Sequence, residues 1–534
     1  MDSYDEVISF LGEWGPYQRS VFLSISIIII PNGYLALSMV FLADTPPHRC
    51  QLSNSSADET FLGNLSLPLP TEEVGGQQVY SRCSRYRAGQ DLGSNGSTLV
   101  TERCLDGWVY STDRYVSTIV TQWDLVCDQK WKGPFTTSVF FLGVLFGSAI
   151  SGQLSDRYGR KVVLFGAIAL RTIASLLQLA SQSWEMFCVL YCFVGMGEIS
   201  SYIAAFVLGI EILSKSERVA FSTLGICMFY AFGYILLPIL AYYIRDWKML
   251  LLTLTMPEFL YIPLWWCIPE SPRWLLTQGR KEEAEAILKY AARKNGVSHV
   301  GPIFMTIHSD MDSSKHSRSY LDLIATSNIR NVTIILLWMW LICTIGYYGL
   351  SLNTPNLHGD PYINCLISAA SETLVYVMVW RLMRISPRRM ATAGPLLFSG
   401  TMLLLIHWVP STLQFVITTL VMAGKSGATA AFTIIYIYSL ELYPTVVRNM
   451  GVGVCSMTSR IGTVISPYFA YMVAQIGILA FIVMGSLMVM AGLVSLLLPE
   501  THNKPLPETI SQMQPMYCQV HARVGSPTHS DRRD

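Results

Sequence analysis

Twelve stretches of this chain are apolar for about the length needed to cross a lipid bilayer. An α-helix rises 1.5 Å per residue, so roughly 20 residues cover a hydrocarbon core of ~30 Å. The runs fall at residues 20–43, 133–154, 162–180, 184–209, 219–243 and 248–268, and again at 331–350, 362–383, 391–407, 413–438, 452–475 and 478–498. Hydrocarbon offers no water to satisfy backbone N–H and C=O groups, so a spanning segment must be a helix or part of a closed barrel. Continuous apolar runs rather than alternating ones select the helix. The expected fold class is therefore an all-α membrane protein with twelve transmembrane helices. Composition agrees: 51% of the 534 residues are hydrophobic and 14% are charged, where a soluble chain has about 25% charged. The net charge of +1 gives no argument for nucleic acid as a partner; the bilayer is the partner that composition implies.

The intervals between the runs divide into kinds. Residues 1–19 are polar and acidic, with no cleavable leader, so the N-terminus is expected inside. Residues 44–132 form a long hydrophilic loop holding Cys50, Cys83, Cys104 and Cys127 and glycosylation sequons at Asn54, Asn64 and Asn95. Paired cysteines with sequons describe an extracellular, disulfide-containing loop. Four cysteines allow three pairings, and the sequence leaves all three open. Residues 269–330 are a polar linker whose KEEAEAILKYAARK run has the stripe and charge order of a surface amphipathic helix. Residues 499–534 are a polar tail. Lys and Arg collect in the alternate loops shared with the two termini, which places both termini in the cytosol. The halves are then residues 133–268 with the first helix, and residues 331–498.

Between the second and third runs stands GQLSDRYGRK, residues 152–161, a tight glycine-punctuated loop with one acid and three basic residues. Further charges recur in register. Glu211 and Arg218 bracket the loop after the fourth run, and Glu441 and Arg448 bracket the loop after the tenth. Both offsets (441 − 211 and 448 − 218) are 230 residues, as is that between Pro269-Glu270 and Pro499-Glu500. The chain reads as two six-helix halves made by duplication.

Six ionisable residues lie inside the runs: Arg171, Glu198, Glu258, Glu372, Lys425 and Arg460. Such groups are costly in hydrocarbon and mark function or pairing. Arg171 and Glu198 lie at similar depth on neighbouring helices, so they are expected to form an intramembrane ion pair; Glu258 has no evident partner. Arg460 is the candidate substrate contact, because a guanidinium fork suits a carboxylate. Glu372 and Lys425 either pair with each other or tune Arg460. Tyr202, Tyr230, Tyr347, Phe432 and Tyr436 supply aromatic faces that would hold an ammonium group. Aromatics and arginine together suit a small zwitterion. No nucleophile–base pair, metal cluster or phosphate-cradling loop argues for an enzyme, and no cofactor is expected.

The G-x-L-x-D-R-x-G-R-K loop resembles the signature of the major facilitator superfamily. DSYDEVISFLGEWGPYQR, STIVTQWDLVC, PESPRWL, NTPNLHGD and ELYPTVVRNMGVGV resemble the organic ion transporter family (solute carrier family 22), and most the organic cation/carnitine branch. The resemblance implies the major facilitator fold and plasma-membrane uptake of carnitine-like zwitterions with sodium as co-transported ion. Sodium-independent movement of organic cations or anions is the alternative. It further implies that Asp156, Arg157, Arg160, Glu211, Arg218, Glu441 and Arg448 form a salt-bridge network that holds the cytosolic side closed and is released when the carrier opens inward. Asn32, Tyr202, Glu441 and Arg460 match the branch and take its expected roles. At three positions the chain departs from it, with Arg171 and Glu198 where glutamines are expected and Ser201, a position expected to contact substrate or sodium, where asparagine is expected.

Overall fold

The computed structural model describes residues 9–12, 14–51, 70–74, 77–86, 101–213, 218, 221–297, 323–410, 412–444, 446–502, 504, 507 and 512–513. The sequons at Asn54, Asn64 and Asn95 lie outside them. Among the described residues, twelve long helices form two bundles of six. The first comprises α1 (Pro16–Leu42), α2 (Lys132–Tyr158), α3 (Arg160–Leu179), α4 (Trp184–Ile212), α5 (Gly225–Tyr243) and α6 (Trp247–Cys267). The second comprises α7 (Ser327–Leu352), α8 (Pro361–Ile385), α9 (Arg388–Trp408), α10 (Gln414–Leu442), α11 (Arg448–Ile476) and α12 (Ile478–Ser495). Eleven of these are apolar enough to cross a membrane by composition alone, α11 being the exception.

Local chemistry explains the irregular places. Pro31 sits inside α1 and has no N–H for the carbonyl one turn back, Ile27. The Tyr261 hydroxyl from α6 donates to that carbonyl instead, at 3.2 Å, so the proline kink is satisfied from the next helix. Gly33 and Gly233 let α1 and α5 touch along their backbones: a Cβ on either would strike a carbonyl of the other helix, Tyr230 O or Ile30 O. This contact fixes Asn32 and Tyr230 beside the centre of the molecule.

Residues between α1 and α2 form three two-stranded antiparallel ribbons: His48–Cys50 with Trp108–Tyr110, Thr71–Val74 with Gln77–Tyr80, and Ser84–Tyr86 with Thr101–Arg103. Cys50 pairs with Cys104 and Cys83 with Cys127; this resolves the connectivity that the sequence leaves open. His48 lies beside Cys83 and Cys127, but both sulfurs are in disulfides, so the trio is no metal site.

On the opposite face, the linker helix (Lys281–Lys294) is docked rather than free. Its Ala284, Leu288, Ala291 and Ala292 are buried together with Leu11 and Tyr17. Asn295 accepts from Tyr17 N at 2.9 Å and donates to Leu11 O at 2.9 Å and Gln18 Oε1 at 2.8 Å. The linker thus clamps the start of α1.

The two bundles seal against each other on the disulfide face. Phe41 stacks on Tyr362 at 5.2 Å and 8°, and Tyr115 and Tyr242 abut the same ring. Ser138 donates to Val464 O at 2.8 Å, and Phe141 meets Tyr348 at 5.0 Å. One buried cluster there draws on both halves, whereas the clusters toward the other face belong to one half each. Beyond the Ser148–Met457 contact at 3.8 Å, no hydrogen bond, ion pair or ring contact joins the bundles toward the charged-loop face among the described residues. Among the described residues, the contacts between the bundles concentrate on the disulfide face.

Candidate functional site

The charged loops repeat their geometry in each half. Arg160 grips Glu211 with two bonds (Nε–Oε2 3.0 Å, Nη2–Oε1 3.1 Å) and also meets Asp156 at 3.0 Å. The Glu270 carboxylate accepts the first N–H groups of α3, Arg160 N at 3.0 Å and Lys161 N at 3.1 Å, where the helix dipole favours an anion. In the second half Arg388 reaches both oxygens of Glu441 at 3.1 Å, and Glu500 accepts Arg388 N at 2.7 Å and Arg389 N at 3.1 Å. Burial alone would raise the Glu500 carboxyl, but the N–H groups of His502, Arg389, Arg388 and Thr501 outweigh it and hold it below its ordinary range.

Among the described residues, each ion pair of these charges closes within its own half. Glu211 and Glu441 are held by Arg160 and Arg388, while Arg218 and Arg448 donate to carbonyls that end α4 and α10, namely Ile210 O and Leu213 O, and Tyr443 O. Arg157 is exposed and lies over Tyr158. Arg388, Glu270 and Glu500 were missing from the sequence-derived gating set. The 230-residue offset of the Pro-Glu pairs was the signal for the two acids.

The intramembrane pair is different from the expected one. Arg171, fully buried, has Glu258 as its ion-pair partner (Nε–Oε1 2.8 Å), and Thr172 donates to the other oxygen of Glu258. Arg171 Nη1 donates to Asn32 Oδ1 at 3.1 Å and Ser201 Oγ at 3.3 Å. Glu198 contributes only its backbone carbonyl to this knot, accepting from Asn32 Nδ2 at 2.9 Å and Ser201 Oγ at 2.8 Å. Its carboxylate feels the charge of Arg171 and Arg460 without an ion pair to either.

In the second half Lys425 and Glu372, each 1% exposed, form a salt bridge of 2.9 Å. Tyr347 donates to Glu372 Oε2 at 3.2 Å. Lys425 also donates to Ser368 and lies 4.8 Å from the Tyr234 ring centre. Of the two readings of this pair the structure takes the first: both charges are spent on each other. Tyr347 stacks on Phe432 at 5.6 Å, and Tyr436 meets Trp340 at 5.6 Å.

Arg460 is the remaining cation. It is partly exposed, and its Nε is buried with no hydrogen-bond partner. Its charge reaches Glu198, Tyr202, Tyr348 and Tyr436. Tyr230 of the first half and Tyr348 of the second lie near each other across the bundles. Tyr348 and Tyr376 were missed by sequence reasoning; Tyr376 lies one turn from Glu372, on the same helix face, which was its only signal. Among the described residues, the centre thus offers Arg460 and the Glu198 carboxylate, neither in an ion pair, with tyrosines drawn from both halves.

Two six-helix halves around such a centre, packed together on the disulfide face, are the architecture of a secondary carrier of the major facilitator superfamily. Residues 104–513 match the family described as "Sugar (and other) transporter". A solved D-xylose-proton symporter superposes with a TM-score of 0.62 over 92% of this chain and 100% of its own, at 14% identity, which speaks for the fold alone. Organic cation/carnitine transporter 2 of Homo sapiens is 50% identical across 99% of this chain and 97% of its own length. The protein of that name from Rattus norvegicus is 52% identical over 96% and 94%. Solute carrier family 22 member 4 of Mus musculus is 50% identical over 96% and 95%. The chain belongs to the organic cation/carnitine transporters of solute carrier family 22. It is a multi-pass membrane transporter and not an enzyme.

Proposed function

We propose that this chain carries carnitine or a similar small zwitterion into cells across the plasma membrane, with both termini cytosolic and sodium as the coupling ion. The observation that carries the reading is Arg460, a central guanidinium with an unpartnered Nε among tyrosines of both halves. The substrate carboxylate takes the guanidinium, and its ammonium group rests on the aromatic faces. Because helices of both halves line the site, rocking one half on the other exposes it to each side in turn. The names of the relatives support the cargo class, and the Lys and Arg distribution supports the orientation.

A sodium-independent carrier of organic cations is the second reading, and one observation favours it. Asn32 Oδ1 and Ser201 Oγ, oxygens of the kind that hold a cation, face the Arg171 guanidinium. Labelled carnitine uptake in cells expressing the chain, with sodium and with N-methylglucamine in its place, separates the two. Uptake that falls without sodium is the expected result; uptake indifferent to sodium selects the second reading.

A further inference from the structure

Two atoms of opposite charge at the centre have no hydrogen-bond partner. Glu198 Oε2 is buried and unpartnered on a residue only 7% exposed. Arg460 Nε, on the other half, is likewise buried and unpartnered. The two groups feel each other's charge but form no ion pair. The neighbours of Glu198 do not relieve it. Arg171 of α3 is ion-paired with Glu258 of α6; its charge is the larger one at Glu198 and its Nη2 is buried without a hydrogen-bond partner, yet it forms no ion pair with Glu198. Asn32 of α1 bonds the Glu198 backbone carbonyl, Tyr191 lies on its own helix, and Tyr230 of α5 and Tyr348 of α7 approach without donating to it. An unsatisfied buried acceptor costs about 1–3 kcal/mol, more when charged. A ligand that presents a donor there recovers that cost.

Resting on the reading of the chain as a zwitterion carrier, we propose that Glu198 is a specificity-determining substrate contact. Its Oε2 receives an N–H of the substrate ammonium group while Arg460 holds the substrate carboxylate. A trimethylammonium group offers only charge and carbon surface, so it leaves Oε2 unsatisfied. An ammonium with at least one N–H makes a charge-assisted hydrogen bond. Within the zwitterion class the chain then favours N–H-bearing substrates, because sites built to hydrogen-bond a donor reject analogues that lack it. The three departures from the carnitine branch fall into one structural unit on this account. Arg171 and Ser201 brace the α4 turn that presents Glu198.

The test compares labelled 4-aminobutanoate with its N-trimethyl counterpart in cells expressing the full chain, with surface protein measured. The unmutated carrier should take the amine about tenfold more efficiently. Glu198→Gln should remove most of that preference by lowering amine uptake while changing trimethyl uptake little. Glu198→Asp, which keeps the charge, should retain a preference for the amine. A preference for the trimethyl compound in the unmutated chain overturns the proposal, whatever the variants do. So does a Gln variant that loses both uptakes equally at normal surface level. Uptake of neither compound by the unmutated chain rejects the zwitterion reading itself.

Discussion

Glu258→Gln should cost this protein about 3–5 kcal/mol of stability, the usual price of leaving one member of a buried ion pair alone. Arg171 has no solvent to fall back on: its side chain is 0% exposed and that of Glu258 is 1% exposed. A whole domain is typically stable by only about 5–15 kcal/mol, so the variant should reach the cell surface poorly and melt early in detergent. The double change Arg171→Gln with Glu258→Gln removes both charges together. It should recover much of the loss, giving a coupling that additive single changes would not. The same cycle with Glu198→Gln in place of Glu258→Gln should show a clearly weaker coupling, because the Glu198 carboxylate forms no ion pair with Arg171. Equal couplings would return Arg171 to Glu198.

Arg460→Ala should abolish carboxylate-dependent uptake while surface protein stays normal. The guanidinium Nε bonds nothing, so the fold loses little when the side chain is cut back. The bound carboxylate, by contrast, loses a charged partner in a desolvated site, worth about 2–5 kcal/mol, or about thirtyfold and more in efficiency. Arg460→Lys keeps the charge without the fork and should restore only part of the uptake. Normal uptake by the alanine variant would remove Arg460 from the site.

The fold was legible because bilayer length and backbone satisfaction leave few choices, and duplication wrote itself into the 230-residue offsets. The site was legible in part. Arg460, Tyr202, Tyr230, Tyr347, Phe432 and Tyr436 do converge, because charges and rings inside spans have few other uses. The partner of Arg171 was not legible. Glu198 and Glu258 both lie at roughly mid-depth, so depth along the helix cannot choose between them; helix rotation decides, and Pro257 makes the face of α6 hard to read. Its segment Met256–Tyr261 is wound as a tighter 3-10 helix, which turns Glu258 toward α3. The partners within the gating charges were not legible for a different reason. The charges are real and repeated, but which partner each chooses depends on whether the two bundles are together or apart at that face.

The central claim is that a site between the halves takes a zwitterion by its carboxylate. Its most direct test is uptake into proteoliposomes of the purified chain, comparing labelled carnitine and labelled 4-aminobutanoate with the carboxamide of each. Saturable accumulation of at least one acid and little of its amide is the expected result. Equal accumulation of acid and amide, or none of either acid by folded protein, would contradict it.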